Sequence, residues 1–187
     1  MGMRKMNFLA GLSCAIALAV GTTSPALAAP KGEPACALAR LTAEQRDTLG
    51  TQILAGANDD NYKLPYEPIQ QLRVHNDACR TENGWSEKQW DAAFKFSLTV
   101  AMTANALKIM NYSRADEDKM DDFLESHHLT AKSFAKLDDA QSTAVEEAIN
   151  SNGWAHEKTE AGMQSALEAL SYVASINDMG RAYMAAP

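Results

Sequence analysis

The sequence predicts an all-α fold, a single-domain helical bundle of about six to seven helices. Capping residues precede most of the apolar stretches, whose apolar residues then recur at helical spacing. The tripeptide Asn-Gly-Trp at 83–85 also returns at 152–154, and the windows 83–110 and 152–179 share six residues at an offset of 69. The repeat suggests two related helical hairpins, although a common helix stop beside a coincidental tryptophan would also explain it.

The N-terminal segment, residues 1–28, has the features of a cleaved secretory signal peptide. Arg4 and Lys5 precede an apolar run from Phe8 to Val20, and small residues follow it. This run is shorter than the about 20 residues that span a bilayer, so a retained membrane anchor is the weaker interpretation. We expect no stable membrane insertion after cleavage. We therefore expect a periplasmic or secreted bacterial protein, with one all-α domain at 29–187 that has flexible ends.

The charge of the mature chain narrows the choice of partners. The formal net charge of −7 becomes −9 once Arg4 and Lys5 are removed. Nucleic acids and anionic membrane surfaces bind basic faces, so we expect neither as a partner. We expect an as yet unknown protein partner, and a homo-oligomer is also compatible with the sequence.

Cys36 and Cys79 are the two cysteines that remain after the signal segment, which contains Cys14, is removed. An even pair of cysteines in an exported protein predicts a disulfide. A redox pair and a soft-metal site are the alternatives. Redox motifs favour the closer Cys-x-x-Cys spacing, which is not found here, so the structural disulfide is the preferred interpretation.

Two helices are expected in the first part of the domain. Thr42 and Gln45 form a capping box that opens the first helix, and Gly56 is a natural end for it. The second helix is expected at about 68–81, with Pro68 at its first position.

An irregular stretch at 58–68 separates these two helices, because it is rich in turn-forming residues and proline. It contains Tyr62 and Tyr66. Tyrosines on loops are favoured contact residues in protein interfaces, so these two are our candidate partner-binding residues. The alternative is that both rings fold back onto the core.

The corner at 83–85 is expected to open a long helix from Ser86 to about Tyr112. Asn83 and Gly84 can adopt the left-handed conformation that ends a helix, and Ser86 with Gln89 caps the next one. The new helix is apolar on most sides, which is typical of a central helix surrounded by others. It is too short and too polar between its lysines to span a membrane.

The second part of the domain repeats this pattern. An acidic helix at 113–126 and a helix that opens with Asp138 and Gln141 lead to the second corner. A second long helix follows, for which Gly180 is a fitting stop, and the tail at 181–187 is expected to be loosely held.

Chemistry-bearing motifs are sparse in this sequence. Glu125 and His128 form one Glu-x-x-His unit, but di-iron bundles need two such units and two further glutamates. His127 and His128 could make a surface contact with zinc or copper, although no third ligand is apparent. The common signatures of hydrolases, phosphate loops, zinc proteases and covalent haem are not found. We therefore assign no catalytic residue, no metal site and no cofactor.

Two classes of function remain. The first is an exported, non-enzymatic protein that acts through protein-protein interaction, such as an inhibitor or an immunity-type protein. The second is a periplasmic carrier that holds a small apolar ligand, haem or a metal within the bundle. Six methionines in the mature chain supply material for a carrier, but methionine is also an ordinary gap filler in helical cores.

Overall fold

The computed structural model describes residues 32–57 and 66–187, and within these ranges the chain forms seven α-helices and no β-strand. The predicted all-α bundle is therefore confirmed. A short 3-10 turn, Ser133–Ala135, lies between the fifth and sixth helices. The helices in chain order are α1 (Cys36–Ala39), α2 (Ala43–Ala57), α3 (Tyr66–Asn83), α4 (Glu87–Ile109), α5 (Arg114–Ser126), α6 (Asp139–Asn152) and α7 (Glu160–Ala185).

Reciprocal capping boxes fix where four of these helices begin. The Thr42 hydroxyl accepts the Gln45 backbone N–H at 3.1 Å, and the Gln45 side chain accepts the Thr42 N–H at 2.8 Å. Each such cap typically contributes about 1 kcal/mol, so the sequence sets these starting points locally. The equivalent pairs for α4, α5 and α6 are Ser86 with Gln89, Ser113 with Asp116, and Asp138 with Gln141.

Four helices end in the same way, with a left-handed residue followed by a buried apolar one. The N–H of that buried residue donates to a carbonyl five positions earlier, as Trp85 does to Arg80 at 3.0 Å. This Schellman arrangement reverses the chain and directs a large side chain back onto the core. The left-handed residues are Gly84, Asn111, His128 and Gly153. The buried residues that follow them are Trp85, Tyr112, Leu129 and Trp154.

The two Asn-Gly-Trp corners have the same local geometry. The Asn83 side chain donates to the Cys79 carbonyl at 2.9 Å, and the Asn152 side chain donates to the Ala148 carbonyl at 2.9 Å. The glycine that follows has φ of 67° in the first corner and 69° in the second. The repeat therefore extends from the sequence to the backbone conformation.

The repeating unit is larger than the helical hairpin that the sequence suggested. At the offset of 69, α2, α3 and α4 fall on α5, α6 and α7, so each unit contains three helices. The units differ after the corner. The first leads at once into α4, whereas the second has several non-helical residues before Thr159 caps α7.

The long helices α4 and α7 run antiparallel through two apolar clusters, as expected for central helices. Trp85 belongs to the first cluster and Trp154 to the second, so the two corners close corresponding parts of the core. Helix α4 supplies Ala101 to the first cluster and Leu107 to the second. Helix α7 supplies Tyr183 to the first, although its other buried residues lie in the second.

The expected helix stop at Gly180 is wrong, because α7 continues to Ala185. The aromatic ring of Phe96 packs beside Gly180, and Tyr183 beyond it is fully buried. The Tyr183 ring meets Trp85 edge-on at a centroid distance of 5.6 Å. Burial of this tyrosine outweighs the low helix propensity of one glycine, which costs only about 1 kcal/mol.

The segment 181–187, expected to be loosely held, is in fact tied to the first corner. The Ser86 hydroxyl donates to the backbone oxygen of Pro187, and the Gln89 side chain donates to that of Ala186 at 3.3 Å. The Tyr183 hydroxyl donates to the Gly32 carbonyl at 3.2 Å. Residues near both ends of the described chain therefore lie at the first corner.

The predicted disulfide between Cys36 and Cys79 is present and joins α1 to α3 across 43 positions of sequence. Cys79 is fully buried, and it lies in the first apolar cluster. The bond therefore anchors the short helix α1 to the core that α3 and α4 share.

Candidate functional site

The predicted partner-binding tyrosines are not tested by the structure. Tyr62 lies outside the described residues. Tyr66 is the first residue of α3, two positions before the expected start at Pro68, and its side chain lies outside the described part. Both stay predictions.

The histidines at the end of α5 have local structural roles. His128 adopts the left-handed conformation that ends the helix, with φ of 53°. The Nδ1 atom of His127 lies 3.0 Å from the Phe123 carbonyl and 2.9 Å from the Ser126 hydroxyl. In residues 32–57 and 66–187 there is no group of three or more His, Cys, Asp or Glu side chains placed to hold a metal ion.

A concave surface lies between α5 and the C-terminal half of α7, and we call it the α5–α7 groove. It comprises two adjoining pockets of about 460 and 610 Å³, which share Glu125 and Arg181. Besides these two residues, the first pocket is lined by Leu124, His128, Leu129 and Thr130. The second is lined by Phe96, Ile176, Asn177, Gly180, Met184 and Ala185.

Polar contacts hold the two sides of this groove in place. The Asn177 side chain donates to the Asp121 carboxylate, which fixes α5 against α7. The Asp178 carboxylate accepts the Ala131 N–H at 3.0 Å and pairs with Arg181. The loop after α5 is therefore attached to α7, and the charge of Arg181 is compensated within its own helix.

The floor of the groove is apolar and remains accessible. Ile176, Gly180 and Met184 follow one another at intervals of four residues along α7, and the ring of Phe96 on α4 packs against Gly180. The side chain of Met184 is 58% exposed, one of three large apolar residues with this degree of exposure in the described chain. Because Gly180 has no side chain, the Phe96 ring packs directly against α7 here, 3.5 Å from where a Cβ would lie.

A row of acidic side chains on α5 leads to the groove: Glu125 forms its edge, and Asp121 contacts the groove residue Asn177. Glu117, Asp121 and Glu125 lie one helical turn apart, and Glu125 lines both pockets. Burial raises the pKa of the Glu117 carboxyl, although the neighbouring Arg114 opposes this effect. Arg114 also bonds to Glu117 at 3.0 Å and thereby offsets its charge. Asp121 and Glu125 are the carboxylates of this row that make no ion pair within the described chain.

A smaller cleft of about 340 Å³ between α2 and α4 differs in character. Several of its polar groups are engaged with one another, because Lys108 pairs with Asp47 at 2.9 Å and the Asn105 side-chain NH2 donates to Thr51 at 3.0 Å. The buried Oδ1 atom of Asn105 has no hydrogen-bond partner within the described chain. A backbone carbonyl also approaches closely, since a Cβ on Gly50 would lie 2.2 Å from the Ala101 oxygen. We therefore interpret this cleft as a helix-packing junction.

Sequence reasoning missed the α5–α7 groove because it placed Met184 in a loose tail. The spacing of Ile176, Gly180 and Met184 was a usable signal, since residues four apart share a helical face. Glycine often ends helices, so the helix was expected to stop at Gly180 and this spacing was not used. Glu125 and His128 were singled out as a pair, and the structure does bring both to one pocket.

Comparison of the chain with protein-family models, with curated proteins and with solved structures finds no match in any of the three. Among the described helices, none combines the length and the apolar character needed to cross a membrane.

Proposed function

We propose that this is an exported helical protein that acts by binding another protein through the α5–α7 groove. The observation that carries the proposal is the combination of an apolar floor, with Met184 exposed, and a charged edge that contains Glu125 and Arg181. An apolar centre with a polar rim is the usual composition of a protein interface. An inhibitor or immunity-type role is one form that such binding takes.

Two further observations support an extracytoplasmic setting. The disulfide between Cys36 and Cys79 fits a compartment in which such bonds persist. The signal-peptide features of residues 1–28 point to the same compartment, the periplasm or the exterior of a bacterial cell.

A carrier of a small apolar ligand is the second candidate, because the groove volumes fall within the range of small-molecule sites. Carriers bury most of the surface of their ligand, however, and this groove is open along its length. Native mass spectrometry of the protein purified from the source cell distinguishes the two: a stoichiometric small-molecule adduct supports the carrier.

Site-specific photocrosslinking tests the protein-binding proposal. A photoreactive amino acid replaces Met184 and, in matched controls, Val74 or Ile109, which are 63% and 68% exposed and lie outside the groove. We expect a discrete crosslinked product in the source cell from position 184 and not from the controls. Equal crosslinking at all three positions, or none at 184, would overturn the proposal, and a product of twice the protein mass would identify a second copy as the partner.

A further inference from the structure

The inference in this section rests on the proposed function and concerns the chemistry of the partner. We infer that the α5–α7 groove receives a basic amphipathic helix. The apolar face of that helix would lie on Ile176 and Met184, while its lysine or arginine side chains would meet Asp121 and Glu125.

The charge of the groove edge favours a basic partner. Arg181 is paired with Asp178, so its positive charge is already compensated. Glu125 makes no ion pair within the described chain, and Asp121 engages Asn177, a neutral amide, which leaves its negative charge in place. The edge of the groove therefore presents net negative charge to a partner, and a partner segment with basic residues fits it better than an acidic one.

The spacing of these groups favours a helical partner. Asp121 and Glu125 are one turn apart, as are the floor positions Ile176, Gly180 and Met184. One turn of an α-helix advances about 5.4 Å, so basic and apolar rows on a second helix have the same interval. An amphipathic helix laid into an apolar groove is a common recognition mode, read by anchors three and four residues apart.

The floor is suited to such a helix. Methionine is flexible and polarizable, and it recurs on surfaces that accept amphipathic helices. Gly180 lets the Phe96 ring pack against α7 between Ile176 and Met184, so the ring adds apolar surface to the floor. An amphipathic basic helix can therefore place its apolar face on the floor and its basic face against the acidic edge.

The test uses a synthetic peptide of leucine and lysine, about 14 residues long and patterned with the helical period. Its binding to the full mature protein is measured by fluorescence anisotropy of a label on the peptide. One control peptide carries glutamate in place of lysine, and another has the same composition with the helical pattern scrambled. We expect binding of the lysine peptide in the helical pattern and much weaker binding of both controls.

Two protein variants of equal net charge locate the binding. Glu125→Lys changes the groove edge, whereas Glu147→Lys makes the same charge change on α6, away from the groove; both residues are exposed. We expect the dissociation constant to rise roughly tenfold for Glu125→Lys and to change little for Glu147→Lys. The same comparison for the floor uses Met184→Lys, with Ile109→Lys as its control. Circular dichroism verifies that each variant is folded.

The outcomes separate this inference from the function on which it rests. Equal weakening by Glu125→Lys and Glu147→Lys shows general attraction to an acidic protein and overturns the inference. A partner crosslinked through position 184 by an acidic or non-helical segment also overturns it, while the proposed function stands. Absence of any crosslink at position 184 overturns both.

Discussion

Thr103 of α4 and Tyr172 of α7 meet where the two long helices cross: the Thr103 hydroxyl donates to the Tyr172 carbonyl at 3.4 Å. The two residues are 69 positions apart, which is the offset of the Asn-Gly-Trp repeat. Two antiparallel helices related by a two-fold axis bring equivalent positions together only at that axis. The contact is therefore what a two-fold relation between α4 and α7 would produce at its axis.

The two corners should respond equally to mutation, because their backbone geometry and asparagine contacts are the same. Gly84→Ala and Gly153→Ala place a Cβ on a residue with positive φ, and no atom lies within 4 Å of either Cβ position. The cost is then that of the backbone conformation alone, about 1 kcal/mol at each site in urea denaturation. Asparagine tolerates this conformation better, so Gly→Asn should cost less at both sites. If Gly84→Ala lowered the free energy of unfolding and Gly153→Ala did not, the two corners would be energetically unrelated.

Two helical glycines should respond in opposite directions to alanine. At Gly50 a Cβ would lie 2.2 Å from the Ala101 carbonyl oxygen, so α2 and α4 must separate, at a cost of about 1–3 kcal/mol. At Gly180 the nearest atom, in the Phe96 ring, is 3.5 Å away, which is an ordinary contact. Gly180→Ala should raise the free energy of unfolding by about 0.5–1 kcal/mol through helix propensity. Thermal and urea unfolding measure both changes, and destabilisation by Gly180→Ala would contradict the helical assignment there.

Removal of the disulfide should destabilise the protein by about 2–4 kcal/mol, because the bond restrains the unfolded chain over 43 positions. The double variant Cys36→Ala with Cys79→Ala and the reduced wild-type protein should lose similar amounts in chemical denaturation. Mass spectrometry of the unreduced protein provides the direct check. Two free thiols in that measurement would exclude the pairing.

Neighbouring carboxyls at the start of α5 should affect stability with opposite pH dependence. Hydrogen bonds from Ser113 lower the pKa of Asp116, so its contribution is present at neutral pH and is lost as the pH falls through the folded-state pKa. Burial raises the pKa of Glu117, so its contribution is full below the unfolded-state pKa and is lost as the pH rises through the folded-state value.

Asp116→Asn should therefore lower stability at neutral pH, with a deficit that shrinks in acid. Glu117→Gln should raise stability relative to wild type at neutral pH, with a gain that shrinks in acid. Urea denaturation of both variants between pH 3 and pH 7 tests the pair. Parallel pH curves for the two variants would contradict the assignment.

The features predicted successfully from the sequence are local ones. The Ser86 cap, the helix stop at Gly84 and its counterpart at Gly153 each depend on a few adjacent residues, so their chemistry can be recognised in the sequence. The disulfide was also predictable, because Cys36 and Cys79 are the one pairing left once the predicted signal segment, which contains Cys14, is set aside.

The end of α7 was not predictable in this way. Its continuation past Gly180 depends on Phe96 and Trp85, which are distant in sequence and become neighbours only when α4 and α7 pack. The groove could not be predicted for the same reason, because Met184 lines it only if α7 continues past Gly180. Tertiary packing overrode a local stop signal, which is the usual limit of propensity arguments.

The attachment of Tyr183 to the first corner has a consequence for the order of folding. The second apolar cluster uses residues between 107 and 174, whereas the first joins residues 37–101 to Tyr183. Contacts between distant segments carry a larger loop-closure entropy and form more slowly than local ones. Trp85 cannot complete its packing until Tyr183 near the end of the described chain has joined it, so the cluster that contains the earlier residues is completed last.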